Sequence, residues 1–300
     1  MKKFSVLGID LGASNFRIYC NKGRRSWSKK SPADFSDRGR SVVRKVREMA
    51  GETDFDAIGV AVAGFVSSKK GTIIRMPNAG VKDMAIAELL KEEFSCQNVA
   101  VMNDAVAAVY GEYNYQKVKE RDTLYLTFST GIGGAAMLNG QLVAGKEGNS
   151  HEVGHIVIDA EGKVECGCGG RGHWEGYCSG RGLTSFFRYY MRRIGAEIPE
   201  QLLPEYIFYH SRRGVKRYRE FLKEAIMMNS AGIASVINIY APELLVVGGS
   251  VALNNWQTYI LPSFELARRQ VILNMPELRK SELADYASAY GAAMLAAETS

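Results

Sequence analysis

The sequence predicts an α/β protein built from two halves of similar plan. Three observations carry that prediction: strand and helix patterns alternate through the first half, the pattern restarts after a polar stretch, and both halves open with strand, glycine-rich turn and strand. Two such halves imply a duplicated architecture, two domains around a central cleft that holds the ligands.

In the first half, Phe4 to Leu11 and Asn15 to Cys20 are β-rich runs joined by Gly12, Ala13 and Ser14, whose small side chains permit a tight hairpin. Asp37 to Ala50 has the apolar spacing of a helix, Ala57 to Val62 is a compact buried strand, and Met84 to Phe94 is amphipathic. Val99 to Met102 is a strand that feeds a helix from Asp104 to Tyr113. The polar, charged run from Tyr113 to Asp122 suits a domain boundary. Thr123 to Phe128 and Ala135 to Leu138 then read as strands, and Asn139-Gly140 is a two-residue hairpin signal leading into Gln141 to Val143. Helices dominate from Gly182 to Tyr240, Glu243 to Val247 is a strand running into Gly248-Gly249, and Tyr290 to Glu298 is a closing helix. The expected domains are residues 1–113 with 290–300, and residues 114–289.

With 300 residues and 46% apolar side chains, the chain buries a substantial core and its length suits two domains. Gly8 and Asp10 break the first apolar run too early for a signal peptide, and no stretch approaches a membrane span. Cys166, Cys168 and Cys178 crowd together while Cys20 and Cys96 stand apart, which disfavours a disulfide framework, opens metal binding and implies a reducing, cytoplasmic setting. The net charge of +6 is concentrated between Lys22 and Arg47, with ten basic side chains against Asp34 and Asp37. No aromatic stacking pattern or DNA-reading motif accompanies it, so the stretch reads as a solvated hairpin and helix face, with neither nucleic acid nor membrane expected as partner.

Three glycine sites carry phosphate chemistry. Asp10-Leu11-Gly12-Ala13-Ser14-Asn15 follows a strand, and backbone N–H groups and a hydroxyl beside a carboxylate can hold phosphates while Asp10 orients a hydrated Mg²⁺. Ser129-Thr130-Gly131-Ile132-Gly133-Gly134 offers the same groups again, and two such loops can grip a triphosphate from both sides. It lacks the spacing of a P-loop and is not followed by a helix, which excludes a Rossmann site. Gly248-Gly249 ends a strand, where an adenine ring can lie against bare backbone; an ordinary strand-to-helix turn explains it equally.

Asn103-Asp104 sits where a strand gives way to a helix. Asp104 can cap that helix, or it can orient an attacking hydroxyl and accept its proton late in phosphoryl transfer, and the second role is the one expected here. His155, Cys166, Cys168 and His173 fall within nineteen residues and can close a tetrahedral zinc shell, structural because four protein ligands leave no open position.

These residues as a set resemble the ROK family of sugar kinases and repressors along almost the whole chain. The family's Glu-x-Gly-His appears as Glu152-Val153-Gly154-His155, and its zinc motif runs from Cys166 to Glu175 with His173 in place of the third cysteine, which leaves Cys178 open as the fourth ligand. Two further departures are Ala63-Gly64-Phe65 for Ala-Gly-Pro and Gly12-Ala13-Ser14-Asn15 for Gly-Gly-Thr-Lys. The resemblance implies an actin-like ATPase fold of the ribonuclease H-like, hexokinase type. It implies Asp104 as catalytic base, and Gly64, Asn78, Asn103, Asp104, Glu152, His155 and Glu175 around a sugar. Asp10, Gly12, Ala13, Ser14, Asn15, Thr130, Gly131, Gly133, Gly248 and Gly249 would hold ATP and Mg²⁺, beside a structural Zn²⁺. The expected reaction is transfer of the ATP γ-phosphoryl group to the 6-hydroxyl of a hexose or N-acetylhexosamine, with glucose and N-acetylmannosamine leading. Family repressors carry a DNA-binding domain before the kinase-like part, for which a first loop at Asp10 leaves no room, so a non-catalytic sugar-sensing regulator is the secondary expectation. An actin-like ATPase without a sugar site is the third, and it has no use for the Cys166 to His173 loop. The family also implies a homodimer or homotetramer.

Overall fold

The computed structural model describes residues 5–22, 25–52, 54–118 and 121–299. Met1 to Phe4, Gly23, Arg24, Lys119, Glu120 and Ser300, which the sequence reading placed in the chain ends, the first strand, the basic stretch and the polar boundary, lie outside the described residues. The chain divides into two compact units, the first made of Met1–Tyr125, Ala135–His151 and Ser281–Ser300, the second of Leu126–Gly134 and Glu152–Lys280.

The first unit is built on β1 (Val6–Leu11), β2 (Asn15–Lys22), β3 (Arg25–Pro32), β4 (Ala57–Val62) and β8 (Val99–Asn103), in the order β3-β2-β1-β4-β8. The first three form an antiparallel meander, and β1, β4 and β8 run parallel. Strands alternate faces, so Leu7, Ile9 and Leu11 of β1 join Ile58, Val60 and Val62 of β4 in one core. Helices α1 (Arg40–Ala50) and α2 (Ile86–Phe94) close it with Val42, Val43, Val46, Leu90 and Phe94. A small three-stranded sheet, β5 (Phe65–Ser67), β6 (Thr72–Met76) and β7 (Val81–Met84), follows β4, and α3 (Asp104–Tyr115) follows β8.

The basic stretch forms the edge strand β3 and the outer face of α1. Ser28, Lys29 and Lys30 are exposed on β3, as edge strands that resist further pairing often are. On and near α1, Arg44 pairs with Asp37 at 3.3 Å, and Lys45 pairs with Glu48 at 2.7 Å.

A second five-stranded sheet repeats the plan. It contains β9 (Thr123–Phe128), β10 (Ile132–Leu138), β11 (Gln141–Leu142), β12 (Leu244–Gly248) and β13 (Glu277–Lys280) in the order β11-β10-β9-β12-β13. β10 and β11 are antiparallel and β12 and β13 parallel, as are the corresponding outer pairs of the first sheet. The second unit also holds α4 (Trp174–Cys178), α5 (Gly180–Arg193), α6 (Pro204–Arg212), α7 (Lys216–Tyr240), α8 (Ser250–Asn254) and α9 (Leu261–Ala267). Phe187 and Tyr190 of α5 pack against Tyr218 and Phe221 of α7 in an aromatic core. Among the described residues no helix is long and apolar enough to cross a membrane.

The chain ends in α10 (Ala287–Glu298), a helix of mostly small residues lying on β1, β4 and α3 of the first unit. Its backbone comes so close that a Cβ on Gly8 would meet Ala289 O at 1.8 Å and one on Gly59 would meet Ala292 O at 1.9 Å. On the α3 side, a Cβ on Gly291 would meet Ala107 O at 1.7 Å. The entry to α10 is tied down by the fully buried Glu112 of α3. Its carboxylate accepts from Gln116 Nε2 at 2.7 Å, from the backbone N–H of Leu283 at 3.0 Å and of Glu282 at 3.2 Å, and from Ser281 Oγ. Four donors satisfy the buried carboxyl group.

These contacts leave no space for a methyl group. Gly59→Ala or Gly291→Ala is expected to lower stability by about 2 kcal/mol or more, read as a reduced urea midpoint at unchanged slope.

Candidate functional site

The register of the first sheet gathers the predicted residues of the first unit at one edge. Leu11 of β1 lies beside Val62 of β4, and Val62 beside Asn103 of β8, so Gly12, Ala63 and Asp104 all follow directly at the carboxyl ends of parallel strands. Ligands of open α/β sheets bind at such ends. Gly12 N–H donates to Asn15 O at 3.0 Å, closing the turn that carries Ala13 and Ser14. Asp10 stands 3.6 Å from Arg17, whose other nitrogen bonds Asp285 at 3.0 Å. Burial dominates at Asp10 and, with Asp285 nearby, outweighs Arg17, pushing the carboxyl up to about 6.

At β8 the side chain of Asn103, not Asp104, caps α3: Asn103 Oδ1 accepts from Ala105 N at 2.9 Å and Val106 N at 3.4 Å. The N-cap position is thus Asn103, with Asp104 in the first turn of the helix sharing the Ala105 N–H. Asn103 Nδ2 donates to Gly64 O at 3.3 Å, so the amide also holds the Ala63-Gly64 turn. Asp104 begins the helix, half-buried, with one oxygen 2.9 Å from its own following N–H. Asn78 is exposed on a single turn of 3₁₀ helix, Pro77–Ala79. Asn149 clamps β5, accepting from Val66 N at 2.9 Å and donating to Val66 O at 2.6 Å.

In the second unit His155, Cys166, Cys168 and His173 converge, with one ligand atom from each lying within 4.8 Å of the others. Cys166 Sγ is 3.8 Å from His155 Nδ1, and Cys168 Sγ is 3.3 Å from His173 Nδ1. Zinc bonds of about 2.3 Å to sulfur and about 2.0 Å to nitrogen place tetrahedral ligand atoms about 3.3–3.8 Å apart, so the donor set fits the ion. The loop is shaped for it by backbone bonds from Cys166 N to Gly170 O at 2.7 Å and from Gly169 N to Cys166 O at 2.9 Å, and by Gly170 N–H donating to Cys168 Sγ at 3.4 Å. Cys178 is elsewhere, fully buried with Sγ 3.9 Å from Ala225 O, and burial pushes its thiol up to about 12. His173 is thus the residue the fold brings to the cluster. His155 uses its two nitrogens in two directions, Nδ1 toward Cys166 and Nε2 toward Glu152 Oε2 at 3.5 Å. Burial holds Glu152 above the ordinary carboxylate range, His155 opposing and Glu175 adding to the shift.

The turn between β9 and β10 is fixed by four bonds. Ser129 N donates to Gly131 O at 3.0 Å, Gly180 N to Ser129 O at 2.8 Å, Arg181 N to Thr130 O at 3.2 Å, and Ile132 N to Glu175 Oε2 at 2.9 Å. Thr130 is exposed, and Gly131 and Gly133 are partly so. Gly248-Gly249 is a strand-to-helix turn between β12 and α8, where Gly249 has φ +88° and a Cβ would meet Phe128 O at 2.3 Å. Packing against β9 is reason enough for that glycine. The tie from Glu175 to Ile132 had no signal in the sequence, because the two residues are 43 positions apart.

Two expectations follow. Zinc should be found at one per chain by metal analysis; His173→Ala should weaken it roughly a hundredfold, one ligand's share of about 10–16 kcal/mol, and Cys178→Ala should leave it unchanged. The raised Asp10 pKa means the folded state holds that proton more tightly than the unfolded chain. Stability from Asp10 is therefore full below pH about 4 and lost as pH rises through about 6. Asp10→Asn should gain on the order of 2 kcal/mol at pH 8 in urea unfolding and nothing at pH 4.

Known proteins resemble this chain in sequence and in fold. A glucokinase of Pyrobaculum calidifontis is 40% identical over 297 residues, 98% of this chain and 95% of that protein. The structure of a ROK hexokinase from Thermus thermophilus matches with a TM-score of 0.82 at 28% identity, covering 99% of this chain and 100% of that one. A ROK family glucokinase from Streptomyces griseus, in complex with glucose and AMPPNP, shares the fold at a TM-score of 0.81 and 24% identity over 98% and 99% of the two chains. The fold is the actin-like ATPase fold, ribonuclease H-like and of the hexokinase type. With the ROK family model matched across residues 6–299, the chain belongs to the ROK family.

Proposed function

We propose that the chain is an ATP-dependent sugar kinase that transfers the γ-phosphoryl group to the 6-hydroxyl of a hexose or N-acetylhexosamine, glucose first. The observation that carries this reading is Asp104 at the carboxyl end of β8, with helix capping taken over by Asn103. Phosphoryl transfer through a loose transition state needs positioning and charge neutralisation more than covalent chemistry. Asp104 would accept a hydrogen bond from the attacking hydroxyl and take its proton late.

Glu152, His155 and Glu175 are the sugar contacts this reading assigns in the second unit, and Gly64, Asn78 and Asn103 those in the first. His155 Nε2 and Glu152 stand as a donor and acceptor 3.5 Å apart, a pairing suited to adjacent ring hydroxyls. The backbone at Gly12, Ala13, Ser14 and Asn15, with Thr130, Gly131 and Gly133, would hold the ATP phosphates, and Gly248 and Gly249 the adenosine. Mg²⁺, when bound, supplies charge neutralisation on those phosphates, with Asp10 as the carboxylate that orients it. Zn²⁺ on His155, Cys166, Cys168 and His173 would hold His155 with Nε2 aimed outward. The 40% identical glucokinase supports glucose over N-acetylmannosamine.

A coupled assay of ADP release across glucose, mannose, N-acetylglucosamine and N-acetylmannosamine tests the reading, with turnover expected and glucose the best substrate. Asp104→Asn should lower kcat about 10²–10⁴-fold while calorimetry still shows sugar binding. Sugar binding with no turnover on any of the four would assign the chain to the sugar-sensing regulators instead.

A further inference from the structure

Glu175 has a second task that its contacts within the second unit define. Its Oε2 accepts from Ile132 N at 2.9 Å, and a Cβ on Gly131 would lie 2.4 Å from that same oxygen, so the carboxylate reaches the turn only because residue 131 is glycine. Its Oε1 lies 3.6 Å from Cys166 Sγ. The glutamate sits two residues after His173, and its own carbonyl accepts from Ser179 N at 3.2 Å and Ser179 Oγ at 2.8 Å. Directly beyond, Gly180 and Arg181 supply the N–H groups that bond Ser129 O and Thr130 O. One continuous segment therefore runs from a metal ligand to three of the four bonds that fix the glycine turn.

We infer that Glu175 is a positioning residue for the phosphate loop Ser129–Gly133, and that through it the metal loop governs nucleotide affinity. This deepens the kinase reading and rests on it. Ile132 is buried, so losing the carboxylate leaves its N–H without its partner in a largely buried turn, and the loop shifts to satisfy it. A carboxylate accepting from a backbone N–H is also a charge-assisted bond, stronger than its neutral counterpart. The metal loop keeps that carboxylate in place through the chain from His173, two residues before it.

The test is calorimetric titration of AMPPNP with Mg²⁺, and separately of glucose, into zinc-loaded protein, chelator-treated protein, Glu175→Ala and Glu175→Gln. Glutamine keeps an oxygen acceptor for Ile132 N–H. The expected pattern is an AMPPNP Kd raised about tenfold in Glu175→Ala and in the chelated protein, but within about threefold in Glu175→Gln. Gly131→Ala, which displaces the carboxylate while leaving residue 175 intact, should reproduce the tenfold loss and carries the test if Glu175→Ala does not fold. A Glu175→Ala Kd within about twofold of wild type, or equal damage in the alanine and glutamine variants, would overturn the coupling. Failure of the wild-type protein to bind AMPPNP at all would overturn the kinase reading, and the coupling with it.

Discussion

The first unit depends on how closely α10 approaches β1 and β4. Glycines at positions 8 and 59 remove the side chains that would hold the helix off, and its backbone carbonyls stand where those Cβ atoms would be. One face of the sheet is thereby covered by the helix backbone, and the alternate residues Leu7, Ile9, Ile58 and Val60 are committed to the core beneath α1 and α2. A register locked on both faces cannot slip by one residue, since a slip would turn every buried side chain outward. That lock places Gly12, Ala63-Gly64 and Asp104 at one edge, and the chemistry proposed for the first unit inherits its geometry from helix packing.

Two carboxyl groups in this unit, the fully buried Glu112 and the partly buried Asp10, meet burial in different ways. Glu112 is met by four donors and ties α3 to the start of α10, a purely architectural use. Asp10 is ion-paired with Arg17, yet burial prevails and its pKa rises to about 6. A carboxyl group held in such an environment is one that a bound cation would stabilise, as the Mg²⁺ role proposed for it requires. In the second unit the same economy appears at Glu175, whose two oxygens serve two loops.

Much of this was legible from local pattern. Ala57–Val62 and Thr123–Phe128 are continuous apolar runs of strand length, and both form strands with the expected bounds. The helix expected from Asp37 begins at Arg40, because Gly39 in a left-handed conformation opens it. The solvated hairpin expected in the basic stretch is the β2–β3 pair, whereas β13, Glu-Leu-Arg-Lys, had no strand signal because it is a short polar edge strand paired through its backbone to β12. The β5–β7 sheet escaped notice because its strands are short and half exposed.

By itself the sequence determined which residue types were available for chemistry, the repeated strand–glycine–strand openings and the four donors of the candidate zinc site, because these depend on composition and spacing over a few residues. Tertiary structure alone decided that Cys178 is a core residue and that Glu175 holds the turn at Ile132. Both turn on which groups the fold brings beside a side chain. That is a matter of distances across the fold, and residues 43 apart in the chain carry no local trace of it.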